Sequence, residues 1–132
     1  MNARLLFNGS AITEVLTGFA LLVAPLFVIG VLLGDGLGPT GVAVTRVLGI
    51  GLLAVGVAGW GLQGQDIRLA PRAGLCIYNL GAAILFAILG TYGGMKGILL
   101  WPAATLHALI GVMMLWVILA RFRTSTDMSQ PG

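Results

Sequence analysis

The chain has 132 residues, and only 11 of them are charged, 8% against about 25% in an ordinary soluble domain. With its 21 glycines counted, roughly 72% of the chain is apolar, and a chain this short has too little interior to hide that surface from water. A soluble globular enzyme, a disordered chain and a disulfide-stapled one are excluded, which leaves an integral membrane protein forming one domain, residues 1–132.

Four uncharged stretches set the architecture. Residues 15–34, 47–65, 73–95 and 97–120 carry no Asp, Glu, Lys or Arg. A hydrocarbon layer about 30 Å thick is crossed by roughly 20 apolar residues at 1.5 Å rise each, so all four are long enough. No strand alternation appears, and inside lipid only helices or closed barrels satisfy the backbone. The expected fold is all-α, an up-down-up-down bundle with spans near 11–33, 42–63, 74–92 and 98–120.

The first span carries a stripe of Glu14, Thr17, Gly18, Leu21 and Pro25. If it starts near Ala11, Glu14 lies about 5 Å inside the boundary at 1.5 Å per residue. An ionisable group there is either a proton or cation site, with Asn79 at similar depth, or a structural partner of Arg4, Arg68, Arg72 or the Asn79 amide. Gly30-x-x-x-Gly34 ends this span with a helix-packing match of low specificity, and Gly34-Asp35-Gly36-Leu37-Gly38-Pro39 closes the first hairpin.

The second span places Arg46, Gly49, Leu53, Gly56 and Trp60 on one face. Gly49 and Gly56 are packing candidates, because helices in lipid associate through close backbone contact. Arg46, near the boundary, reads as an interfacial charge whose stem snorkels toward Asp35 or lipid phosphate. A more polar connection, Gln63 to Arg72, leads to the third span.

That third span presents Asn79, Ala82, Ala83, Phe86 and Gly90, with Cys76 and Tyr78 as further packing or hydrogen-bonding residues. Gly93-Gly94-Met95-Lys96-Gly97 closes the second hairpin. The fourth begins with Pro102 in its first turn and carries Ala103, Ala104, His107, Gly111 and Met114 at helical spacing. Residues 121–132 form a polar C-terminal tail expected to fray. The expected interior therefore gathers every strongly polar intramembrane residue on a small-residue stripe.

His107 is the sole histidine and Cys76 the sole cysteine, which excludes an internal disulfide and a zinc site made from the chain's own Cys and His. Near the midplane, a lone imidazole reads as an axial ligand of haem iron or chlorophyll magnesium, or as a proton relay. Ala103, one turn away, leaves room for a flat ring. The alternative is an interhelical hydrogen bond to Thr45 or Arg46. No cofactor is required by the sequence, and no metal site is expected.

Arg4, Arg68, Arg72, Arg121 and Arg123 fall on one side of these spans, and only Lys96 and Arg46 toward the other. The positive-inside rule then places both termini in the cytoplasm. Trp60 and Trp116 suit the inner boundary, Tyr92 and Trp101 the outer one. A cleaved signal peptide is not expected, since the first apolar run exceeds a usual h-region and no A-x-A site follows. Seven dispersed basic residues give a net charge of +3 with no basic run, so nucleic acid is not an expected partner.

Tyr78-Asn79 and Leu100-Trp101-Pro102-Ala103 followed by His107, together with Arg46-Val47-Leu48-Gly49 followed by Leu52, resemble small bacterial inner-membrane proteins of the DoxX-like type. The resemblance spans roughly residues 15–118. It implies a bacterial four-helix inner-membrane protein, with thiosulfate and quinone chemistry as the activity associated with DoxX itself. Ala11-Ile12-Thr13-Glu14-Val15, early in the first of four helices, also looks like the small multidrug resistance transporters. Those act as dimers and use such a glutamate for proton exchange.

No Ser/His/Asp set, phosphate loop or carboxylate cluster is present, so no catalytic residue is expected. The leading expectation is a non-enzymatic accessory subunit of a larger bacterial membrane complex of respiratory or photosynthetic type. Its partners are lipids and either other subunits or a second copy. The alternatives are a proton-coupled small-solute or cation transporter using Glu14, and a haem-, pigment- or quinone-linked subunit through His107.

Overall fold

The computed structural model describes residues 3–60 and 69–127. They form five helices and no strand: α1 (Ala3–Val23), α2 (Pro25–Leu33), α3 (Pro39–Trp60), α4 (Leu69–Thr91) and α5 (Leu100–Asp127). Four segments, Ala3–Val23, Pro39–Gly59, Ala70–Thr91 and Leu100–Ala120, are long and apolar enough to cross a membrane. The protein is an all-helical, multi-pass membrane protein.

Helix α1 begins at Ala3, eight residues before the expected start of the first span, and the stretch expected as one helix over 11–33 is two. Pro25 is the cause. It has no N–H to donate to the carbonyl one turn back, so the ladder stops at Ala24 and Pro25 opens α2 in the first-turn position that tolerates it. Helix α2 ends on Gly34, whose φ of 77° is the left-handed cap that glycine adopts without strain and whose N–H bonds the Gly30 carbonyl. Gly30 itself has open space around it, so Gly30-x-x-x-Gly34 is a helix end and not a packing seam. At the far end, α5 runs through Asp127, seven residues into the expected polar tail. Most of the expected connection 63–72 lies outside the described residues, and Leu69 to Arg72 already belong to α4.

Two antiparallel pairs build the bundle. In the first, Gly18 of α1 faces Gly49 of α3, and Ala11 faces Gly56. A Cβ at Gly18 would lie 2.7 Å from the Gly49 carbonyl oxygen, and one at Gly49 would lie 2.7 Å from that of Gly18. A Cβ at Gly56 would meet the Ala11 carbonyl at 2.8 Å. On each helix the two small residues are seven positions apart, two turns, so they share one face and the backbones touch along it. In the second pair, Gly111 of α5 seats Leu80 of α4, and Gly90 of α4 lies against Leu100 and Trp101. Ala104 is buried and Ala103 half-buried along this seam.

Helix α1 also crosses α4. Phe7 joins Leu75, Cys76 and Met114 in one apolar cluster made from α1, α4 and α5. A second cluster, Leu21, Ile29 and Leu52 with Tyr78 against it, draws on α1, α2, α3 and α4. At the end of the bundle formed by the two hairpin loops, the backbones are tied together. Lys96 N–H donates to the Leu33 carbonyl at 3.1 Å, and Leu99 N–H to that of Val31 at 2.9 Å. Gly97 permits this approach, since a Cβ there would collide with the Leu32 carbonyl.

Candidate functional site

Between the two apolar clusters lies a layer of polar side chains. Helix α1 supplies Ser10 and Glu14, one turn apart on its buried stripe. Tyr78 and Asn79 come from near the middle of α4, and His107 from the third turn of α5. Glu14 is the twelfth residue of α1, so it sits mid-helix and not at the helix entrance.

Asn79 is the hub and is fully buried. Its Nδ2 donates to Ser10 Oγ at 3.0 Å and to the Leu75 carbonyl at 2.9 Å. Its Oδ1 lies 2.9 Å from His107 Nδ1. With both amide hydrogens committed elsewhere, Asn79 can only accept at that contact, so the imidazole donates from Nδ1. One amide thereby joins three helices with no polar atom of its own left over. The sequence placed Asn79 and His107 on inward stripes but gave His107 Thr45 or Arg46 as its partner; the structure gives it Asn79. The edge of the His107 ring meets Tyr78 at a centroid distance of 5.7 Å, and Phe86 lies at 5.8 Å.

Glu14 is the opposite case. It is 1% exposed, and neither carboxyl oxygen makes a hydrogen bond. The Tyr78 hydroxyl is a polar group beside it. Of the structural partners expected for it, the Asn79 amide is spent on Ser10 and Leu75, and the Arg72 guanidinium lies 4.8 Å above the Phe7 ring. Arg68 lies outside the described residues. Asn79 bonds Ser10, one turn from Glu14 on the same face of α1.

Arg46 departs from the expected inward stripe. Its side chain is exposed on the outer side of α3, while Gly49 and Gly56 of the same helix face inward as read from the sequence. Asp35, offered as its partner, accepts instead from the Gly36 N–H at 2.7 Å. Cys76 is a free, buried thiol whose Sγ–H donates to the Gly111 carbonyl at 3.6 Å, a packing role. Among the described residues, no three His, Cys, Asp or Glu side chains gather in a way that holds a bare metal ion.

Chemically, the layer offers a buried carboxyl whose oxygens are not hydrogen-bonded, a phenol beside it and an imidazole that donates from Nδ1. Such a set can hold, release or accept a proton, and it contains no activated nucleophile. No protein-family model, curated protein or solved structure matches this chain.

Proposed function

We propose that this chain is a proton-coupled transporter of a small solute or cation, with Glu14 as the proton-binding carboxyl. A single observation carries the reading: the Glu14 carboxyl is sealed in the bundle and neither oxygen is hydrogen-bonded. Leaving a buried polar group unmade costs about 1–3 kcal/mol, and more when it is charged. A carboxyl retained at that cost is a functional candidate by default, since a structural one would be paired or replaced by an apolar side chain. Tyr78 beside it and Ser10 one turn away supply the polar edge over which a proton or bound cation would be exchanged. The arginine distribution supports an inner-membrane location with both termini cytoplasmic.

The test is transport by purified protein in liposomes loaded with a pH-sensitive dye, with sodium, ammonium and guanidinium ions as probes. Probe-dependent proton movement is expected from the wild type and none from Glu14→Gln. Equal fluxes from the two proteins remove the reading.

A second reading, an accessory subunit of a larger membrane assembly, is favoured by Arg46. Its guanidinium is exposed on α3 seven residues from Pro39, about 10 Å along the axis. A charge at that depth needs an oxygen partner, from a lipid headgroup or a neighbouring subunit. Isolation in mild detergent should then yield a co-purifying partner that Arg46→Leu weakens; a partner-free protein argues against it.

A further inference from the structure

Three facts about His107 have no place in the Glu14 reading. First, its tautomer is locked. For Nδ1 to become the acceptor, the Asn79 amide would have to turn over and present Oδ1 to the Leu75 carbonyl, where two acceptors would face each other at 2.9 Å. The Leu75 carbonyl therefore fixes Asn79, and Asn79 fixes His107 with the hydrogen on Nδ1 and the lone pair on Nε2. Secondly, Nε2 makes no hydrogen bond among the described residues. Thirdly, it is not a sealed atom, as the two Glu14 oxygens are, and His107 as a whole is only half-buried. An acceptor nitrogen is thus presented, with fixed orientation, at the edge of the polar layer.

An imidazole whose Nδ1–H is held by an oxygen acceptor while Nε2 stays open has the arrangement of metal-ligating histidines, where the second contact orients the ring and raises its basicity. A bare ion does not fit, because His107 has no neighbouring ligands to complete its coordination. A metal that arrives already held in a planar macrocycle needs only one nitrogen from the protein. Such a molecule is also apolar enough to reach a site in the hydrocarbon layer. The rings of Tyr78 and Phe86 flank the imidazole, and half-buried Ala103, one turn away on α5, keeps that side of the helix low.

We propose that His107 Nε2 is the single axial ligand for a metal-bearing tetrapyrrole. Asn79 is its positioning residue and does not touch the metal. This site stands independently of proton exchange at Glu14.

The test is titration of the full-length protein in detergent with iron protoporphyrin, followed by absorption, with metal-free protoporphyrin in parallel. A saturable shift of the Soret band is expected with the metal compound only. His107→Gly should abolish the shift, and added imidazole should restore it, which shows that the variant still folds. Asn79→Val should weaken binding by about 10–100-fold, as loss of such an orienting contact does at other sites. Nitrogen NMR of the ligand-free protein should show hydrogen on Nδ1 and a bare Nε2. Equal binding of the metal-free compound, an unchanged His107→Gly titration, or a proton on Nε2 would overturn the proposal. Glu14→Gln should leave the titration unchanged, so failure here and failure of the transport reading are separable.

Discussion

The α1/α3 seam and the polar layer beside it use the same helix to opposite ends. Along the seam, Ala11 and Gly18 meet Gly56 and Gly49 backbone to backbone, with no polar side chain between them. On the adjoining face of α1, Ser10 and Glu14 turn toward α4, where the Asn79 network is complete and the carboxyl has the Tyr78 hydroxyl beside it. Close packing in lipid is achieved here by removing side chains, and Glu14 lies on the same helix as that seam. The seam is where the molecule is stable; the layer is where stability is given up.

The sharpest way to break the contrast is to fill the seam. Gly49→Leu places its Cβ against the Gly18 carbonyl, which cannot yield as a side-chain tip can, so a loss of about 3 kcal/mol in unfolding free energy is expected, read from denaturation in detergent. Next comes Asn79→Leu, which removes the partner of Ser10 Oγ and of His107 Nδ1 together, while the Leu75 carbonyl keeps its helical N–H. A loss of about 2 kcal/mol is expected, and near-zero change would show that these contacts carry little. Glu14→Leu should move the unfolding free energy the other way, up by about 1 kcal/mol, while ending proton-linked flux. The smallest effect belongs to Gly51→Ala, two residues from Gly49 but with open space around it. A gain of at most about 1 kcal/mol from helix propensity, and no loss, would show that position on the seam, and not glycine content, decides.

The four apolar helices and their inward stripes were legible because both depend on spacing alone. Gly18, Gly49, Gly56, Asn79, Ala104, Gly111 and Met114 all face inward as their periodicity indicates. What spacing could not give is register between helices. The pairing of Asn79 with His107, and not of His107 with Thr45, follows from how α4 and α5 slide past each other, which the loop at 92–99 sets. Arg46 shares a helix with Gly49 and Gly56, yet a side chain that long leaves the stripe that its Cα suggests, and its exposure accords with the outward snorkelling expected of it. Pro25 was visible as a breaker, but whether it kinks or divides a helix depends on what α2 packs against. The missing partner of Glu14 was illegible in principle, since it is a property of every neighbour at once.

The backbone tie between the two hairpin loops has a consequence for biogenesis. The carbonyls of Val31 and Leu33 are capped by the amides of Leu99 and Lys96, which leave the ribosome more than sixty residues later. Until then those two peptide oxygens, at the loop end of the first pair of helices, are left to interfacial water. The tie between the hairpins is therefore a late event, made only once the second loop has met the first.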